Sequence, residues 1–172
     1  MEIRPEHIGD FSELSELIKS AFGTSEEAFL VEELRNSTAF ITELSLVALV
    51  SGKIVGHILF TPVDLQAGET DTLGFLALAP LSVLPELQNR GIGSQLVKHG
   101  LNQAEQLGHS AVFVLGHPAY YPRFGFVPAS DFQIMSPFPV PDESFLAREL
   151  VPGSLSNVTG TIEYLPPFYK ME

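Results

Sequence analysis

Two glycines one residue apart, Gly91-Ile92-Gly93, follow a loop carrying Gln88, Asn89 and Arg90 and precede Ser94. Residue types in this order suit a phosphorylated ligand. Glycine has no Cβ, so its backbone can come close to a bound group. Where such glycines open a helix, unpaired first-turn amides, here those of Gly91 to Ser94, can donate to phosphate oxygens with help from the helix dipole. Arg90 adds a cation, and Gln88 can hold the loop or reach the ligand. The stretch is no Walker loop, because the Gly-Lys-Ser/Thr ending is absent, and no dinucleotide fingerprint, because the third glycine is missing. Taken alone, Gly-x-Gly also suits a helix start that serves packing only.

Other reactive side chains lie further along. His117 could act as a base, directly or through water, although beside Pro118 it also suits a turn. Tyr120 and Tyr121 carry phenols that are protonated at neutral pH and can donate a proton. His57 falls in a strand pattern and suits the core. Glu27, with Glu32 or Glu33, lies on a helix where it could meet a cation or simply face solvent.

The elements that must position these residues follow from periodicity. Glu2 to Arg4 reads as a strand. Phe11, Leu14, Leu17, Ile18 and Phe22 recur at helical spacing, with Asp10 as cap and Gly23-Thr24 as stop. A second helix runs from a Ser25 cap to Arg35. Leu46 to Val50 and Ile54 to Pro62 form a hairpin across Ser51-Gly52-Lys53. Gly56 inside it marks a close backbone approach. The charge-free run Leu73 to Val83 is a central strand buried on both faces, with a bulge or splay expected at Pro80, which lacks an N–H. Pro85 to Asn89 is a loop, and the helix from Gly91 buries Ile92, Leu96, Val97, Leu101 and Ala104 and stops at Gly108. Ala111 to Leu115 is a strand, and Ala119 to Phe124 a short helical turn. The proline-rich remainder winds on the surface and ends in a strand near Thr161 to Leu165. Strand, helix, strand over residues 73 to 115 is a crossover unit, so a mixed sheet covered by helices is expected.

A chain of 172 residues with 45% apolar content suits one domain, residues 1–172, with no linker or repeat to divide it. Residues 136–172 then form an extension, and Phe138, Phe145, Leu146 and Leu150 suggest that it packs on the body. No cysteine is present, which excludes disulfides, zinc–thiolate sites and cysteine nucleophiles. The N-terminus lacks the pattern of a signal peptide, and no run reaches the roughly 18 apolar residues of a membrane span, so a cytoplasmic protein is expected. The formal net charge of -12 argues against nucleic acid and anionic membranes as partners. It favours a cationic substrate and leaves a polyanion dependent on backbone amides and a few basic groups.

The segment Gln88-Asn89-Arg90-Gly91-Ile92-Gly93 resembles the acyl-CoA-binding motif Gln/Arg-x-x-Gly-x-Gly/Ala of the GCN5-related N-acetyltransferase superfamily. The order of elements over residues 1–130 is similar too, and Leu115 to Phe126 looks like the uncharacterised bacterial branch of its predicted acetyltransferases. The resemblance implies an α/β (α+β) fold: a mixed, mostly antiparallel twisted sheet with helices on both faces. It implies acetyl-CoA as acyl donor, held by Leu81, Val83, Gln88, Asn89, Arg90, Gly91, Ile92, Gly93 and Ser94, with the pantetheine arm lying between splayed strands. No metal is implied, and the acceptor would be an amine on a small molecule or peptide. Tyr121, four residues before Gly125-Phe126, occupies the place of the superfamily's general acid. His117 is the base candidate, since no acidic residue stands on the strand ending at Val83. Val114 replaces the usual asparagine upstream. The alternatives are an acyl-CoA-binding or regulatory module without turnover and a structural protein; a homodimer is compatible with the size.

Overall fold

In the computed structural model, which describes residues 1–66 and 74–171, the amphipathic patterns become three helices and nine strands. The spacing of Leu14, Leu17 and Ile18 gives α1 (Phe11–Phe22) a buried stripe, and Gly23 ends it in the left-handed conformation. The α2 helix (Glu26–Arg35) buries Leu30, Val31 and Leu34 beside it. Both helices lie on one face of the sheet and α3 (Ile92–Gln106) on the other, because each face of the sheet is apolar and needs a cover. Burial of Ile92, Leu96, Val97, Leu101 and Ala104 holds α3 there, at about 1.5–3 kcal/mol for each of the larger side chains. Close approach is part of this seat: a Cβ at Gly100 would overlap the Phe60 ring, and one at Gly56 would meet Leu96 Cδ1 at 2.9 Å.

The sheet runs in the order β1 (Glu2–Pro5), β2 (Ser45–Val50), β3 (Lys53–Leu65), β4 (Phe75–Val83), β5 (Ala111–Leu115), then β8 (Phe145–Glu149) and β6 (Val127–Pro128). All these pairs are antiparallel except β4 with β5. Strands β7 (Ile134–Met135) and β9 (Gly160–Glu163) pair in parallel, and β9 also pairs with the end of β3. The mixed, mostly antiparallel sheet with helices on both faces is therefore as expected.

Four local expectations need correction. Asp10 stands at the N-cap of α1 but does not cap it through its side chain; its carboxylate accepts the His7 N–H at 2.7 Å and pairs with Arg4. Ser25 does not cap α2 through its side chain; Thr24 Oγ1 accepts the Glu26 N–H instead. The partner of β2 runs on to Leu65, beyond Pro62. The proline-rich remainder is no surface winding, because β8 sits inside the sheet with Phe145, Leu146 and Ala147 buried. The expected central strand begins at Leu73, which with most of the polar stretch before it lies outside the described residues.

A buried polar cluster ties α2 to the β1–β2–β3 corner. Arg35 makes a two-pronged contact with Glu6, at 2.6 and 3.2 Å, and stacks over Phe11. Ser45 gives its one hydroxyl proton to Glu6, so the His57 Nε2–H, 2.9 Å away, must donate to Ser45 Oγ. Burial pushes the His57 imidazole down to about 4, with Glu6 opposing and Arg35 adding to the shift. His57 is thus a neutral core histidine.

Candidate active site at the splay of two strands

Strands β4 and β5 pair only over Phe75–Ala77 with Ala111–Phe113 and then separate. Pro80 lies at the parting, in a cis peptide, and the β3 register shifts opposite it between Ile58 and Phe60. Beyond this point Leu84 N–H donates to Val55 O, so the backbone of Ser82 and Leu84 faces β3. Alternate residues of a strand present their N–H and C=O to opposite edges. The backbone groups of Leu81 and Val83 therefore face the gap that β5 has vacated. One of them is partly used, since Gln88 Nε2 donates to Val83 O at 3.2 Å and draws the following loop against the strand end.

That loop delivers α3. Asn89 and Gly91 both adopt positive φ, 64° and 87°, and the chain turns into the helix there. Among the described residues no side chain caps α3; its first internal bond runs from Gln95 N to Gly91 O, and the preceding first-turn amides have no partner there. They open onto a cleft of about 540 Å³. Leu81 and Val83 line one side, Gln88, Asn89 and Gly91 the rim, and Ile92, Gly93 and Ser94 the floor. A Cβ at Gly93 would intrude on this space, 3.3 Å from the Tyr120 hydroxyl and 3.7 Å from Val83 Cγ2.

Arg90 is exposed and does not line the cleft, although the sequence placed it there. The cation on the cleft wall is Arg123. Its guanidinium lies over the Tyr120 ring at 4.7 Å, and its Nε donates to Tyr120 O at 2.9 Å. Tyr120 in turn joins its hydroxyl to Ser94 Oγ at 3.2 Å, which makes it a strut between the α3 start and the turn Tyr121–Phe124.

A second cavity of about 460 Å³ lies where the strands part, shares Leu81 and Tyr120 with the cleft, and reaches α1, α2 and the chain's last turn. Tyr121 is on its wall. The ring packs edge-on to Phe126 and sits so close to Gly116 that a Cβ there would overlap it. No hydrogen bond to the Tyr121 hydroxyl exists among the described residues. Burial, and less so neighbouring Tyr120, raises this phenol above its usual value, so it stays protonated. His117 lines the same cavity, but its Nδ1 accepts the Ala119 N–H at 3.1 Å. That bond gives the ring a turn-holding role and fixes the neutral proton on Nε2.

Of the four glutamates on α2, only Glu27 lines this cavity. Glu32 lines a groove between α1 and α2, and Glu33 pairs with Lys170 at 3.2 Å. Phe168 and Met171, the far wall, were not singled out within the C-terminal extension, because nothing local ties residues so distant to the strands. Among the described residues no helix is long and apolar enough to cross a membrane, and no cluster of three metal-ligating side chains occurs.

Comparison with known proteins agrees with this architecture. The Acetyltransferase (GNAT) family profile matches residues 11–126. The uncharacterised N-acetyltransferase YjhQ of Escherichia coli (strain K12) is 44% identical over 135 residues, covering 78% of this chain and 74% of its own. The crystal structure of the GNAT family N-acetyltransferase YhbS from Escherichia coli, in complex with CoA, superposes with a TM-score of 0.91 at 35% identity, covering 99% of this chain and 93% of that one. A GNAT family acetyltransferase from Brucella melitensis, solved with acetyl-CoA, gives a TM-score of 0.79 at 31% identity, with 97% of each chain covered. The chain belongs to the GNAT acetyltransferase family.

Proposed function

We propose that this protein transfers the acetyl group of acetyl-CoA to an amine at the β4–β5 splay. The observation that carries the reading is the meeting of two donor sets in one cleft. Uncapped α3 amides face it from one side, and the gap-facing backbone of Leu81 and Val83 faces it from the other. This fits a ligand with a phosphorylated end and an amide-bearing arm, and suits a protein of net charge -12, because backbone dipoles bind anions without adding cations. The CoA and acetyl-CoA complexes of the two structural relatives support the same ligand here.

Acetyl-CoA supplies the thioester. The chain's own residues do the rest. Leu81 and Val83 orient the arm through backbone bonds, and the apolar walls exclude water. Gly91 to Ser94 and Arg123 take the phosphates, with Gln88 and Asn89 shaping the rim. Arg90, exposed beside them, adds long-range attraction. After the amine has lost its ammonium proton to water, its lone pair forms the bond to the carbonyl carbon and the carbon–sulfur bond breaks. The Tyr121 hydroxyl donates its proton to the departing sulfur, and the proton lost by nitrogen replaces it through solvent. His117, with Nδ1 engaged, orders the turn that carries Tyr121. Residues 136–172 belong to the same domain in this reading, since they supply β8 and part of the cavity wall.

The test pairs calorimetric titration of acetyl-CoA with thiol release across a panel of amines, read with the product mass. Saturable heat and an acetylated amine are expected. An absence of saturable heat would contradict the ligand, and binding without turnover on any amine would reduce the protein to a binding module.

A further inference from the structure

The second cavity is unlike the cleft. Its walls are the aliphatic and aromatic faces of Leu30, Leu78, Leu115, Phe168 and Met171, with Tyr121 at the chemical end. Among the described residues one carboxylate, Glu27, stands on this wall. Thr24 Oγ1 donates to its Oε1 at 3.0 Å, and its second oxygen has no hydrogen-bond partner among the described residues. The volume of about 460 Å³ falls within the roughly 300–1,000 Å³ range of small-molecule sites.

From this arrangement we infer that the acceptor is a monoamine on an apolar body, whose ammonium group is captured by Glu27 while its hydrocarbon part lies against Phe168 and Met171. The inference rests on the acetyltransferase reading and names its substrate class. Charge and polarity decide it. A carboxylate with a free oxygen is matched by one ammonium, and a charge-assisted hydrogen bond of that kind is among the stronger ones available. A polyamine would press its further charges against apolar walls, and a sugar amine would bury hydroxyls there without partners; both cost affinity. An extended peptide would leave backbone N–H and C=O groups unpaired for the same reason. The overall negative field draws any cation inward, but the cavity selects the singly charged, oily one.

Binding of 2-phenylethylamine to the CoA-saturated protein, measured by calorimetry, tests this without depending on turnover. Saturable binding is expected, with 2-phenylethanol, its uncharged analogue, much weaker. Glu27→Gln should weaken the amine roughly ten- to hundredfold while leaving acetyl-CoA affinity unchanged. Glu32→Gln, on the neighbouring groove, should change neither. Phe168→Ala should weaken 2-phenylethylamine more than methylamine, which separates loss of the wall from loss of the fold. In turnover, kcat/KM should rank 2-phenylethylamine above spermidine, kanamycin and an alanine-initiated peptide.

Spermidine, kanamycin or the peptide ranking first would overturn the inference, as would unaltered amine affinity in Glu27→Gln. Lack of 2-phenylethylamine binding alongside normal acetyl-CoA binding would also overturn it, and would leave the acetyltransferase reading standing. Loss of acetyl-CoA binding in the unmodified protein would instead strike that reading.

Discussion

The cleft at the start of α3 and the cavity beneath Tyr121 share a wall, yet they are built by opposite means. The cleft consists largely of backbone from one continuous stretch, Leu81 to Ser94, with Tyr120 and Arg123 added from the turn after β5. The cavity consists of side chains from α1, α2, β4, β5, the Tyr121 turn and the last turn of the chain. Backbone donors are indifferent to most substitutions as long as nothing fills the space, so the cleft suits a ligand that never changes. Side-chain walls change with every substitution, so the cavity is the part of the site that can be tuned to an acceptor.

Variants can break this division, and the largest effect is expected at the boundary. Tyr121→Phe removes the proton donor without removing the ring, and should lower kcat by roughly 10²–10⁴ with acetyl-CoA affinity retained. An unchanged kcat would show that the departing sulfur is protonated by another group. Next comes Gly93→Val in the cleft. The helix geometry there tolerates a side chain, but the added methyls would crowd Tyr120 and Val83. Acetyl-CoA binding should fall roughly ten- to hundredfold while thermal stability stays near that of the parent. Calorimetry and a melting curve on one sample decide the matter.

Acid should act on the fold through His57. His57 is held at about 4 inside the protein against an ordinary value near 6.5, so between those pH values the unfolded chain binds the extra proton. Stability is therefore full above about pH 6.5 and declines toward pH 4, by on the order of 3 kcal/mol at about 1.4 kcal/mol per pKa unit. Half-buried His109 is lowered as well and adds to the same slope. Urea denaturation at pH 7 and pH 4.5 should show that slope reduced in His57→Gln, which keeps a donor for Ser45. A slope identical to the parent's would mean that His57 is not the titrating group. Because Tyr121 is raised above its usual value, no basic limb of the activity profile should arise from its ionisation below about pH 10.

The smallest contrast separates two arginines. Arg123→Ala should weaken acetyl-CoA several-fold, as expected for a partly exposed charge–phosphate contact, whereas Arg90→Ala should change it by less than about twofold. Equal losses would erase the distinction that the cleft geometry draws between them.

Legibility followed the same division. The cleft could be read from the sequence because its signal is local: two glycines at a helix start, a glutamine three residues before, a proline where a strand must part. The helix and strand patterns from Phe11 to Leu115 were equally readable, since Leu14, Leu17 and Ile18 or Ile92, Leu96 and Val97 repeat at a fixed period. Strand β8 was hidden because Phe145-Leu146-Ala147 is too short to show alternation and stands among prolines. Its partner β5 lies some thirty residues earlier, with β6 between them in the chain. The choice of Glu27 over Glu32 and Glu33 depends on which way each points from α2, and Lys170 settles Glu33 from across the chain. Which of Arg90 and Arg123 lines the cleft has a similar cause: the turn after β5 folds back over the α3 start, a contact that spacing alone does not encode.

Amide hydrogen exchange, resolved by residue with and without acetyl-CoA, tests the central claim most directly. The N–H groups of Val83, Ile92, Gly93 and Ser94 should gain strong protection on binding, and Leu81 with them, while the β1–β2 corner stays unchanged. Protection confined to other amides, or none in this stretch at saturating ligand, would mean that the helix start and the parted strand are not where acetyl-CoA is held.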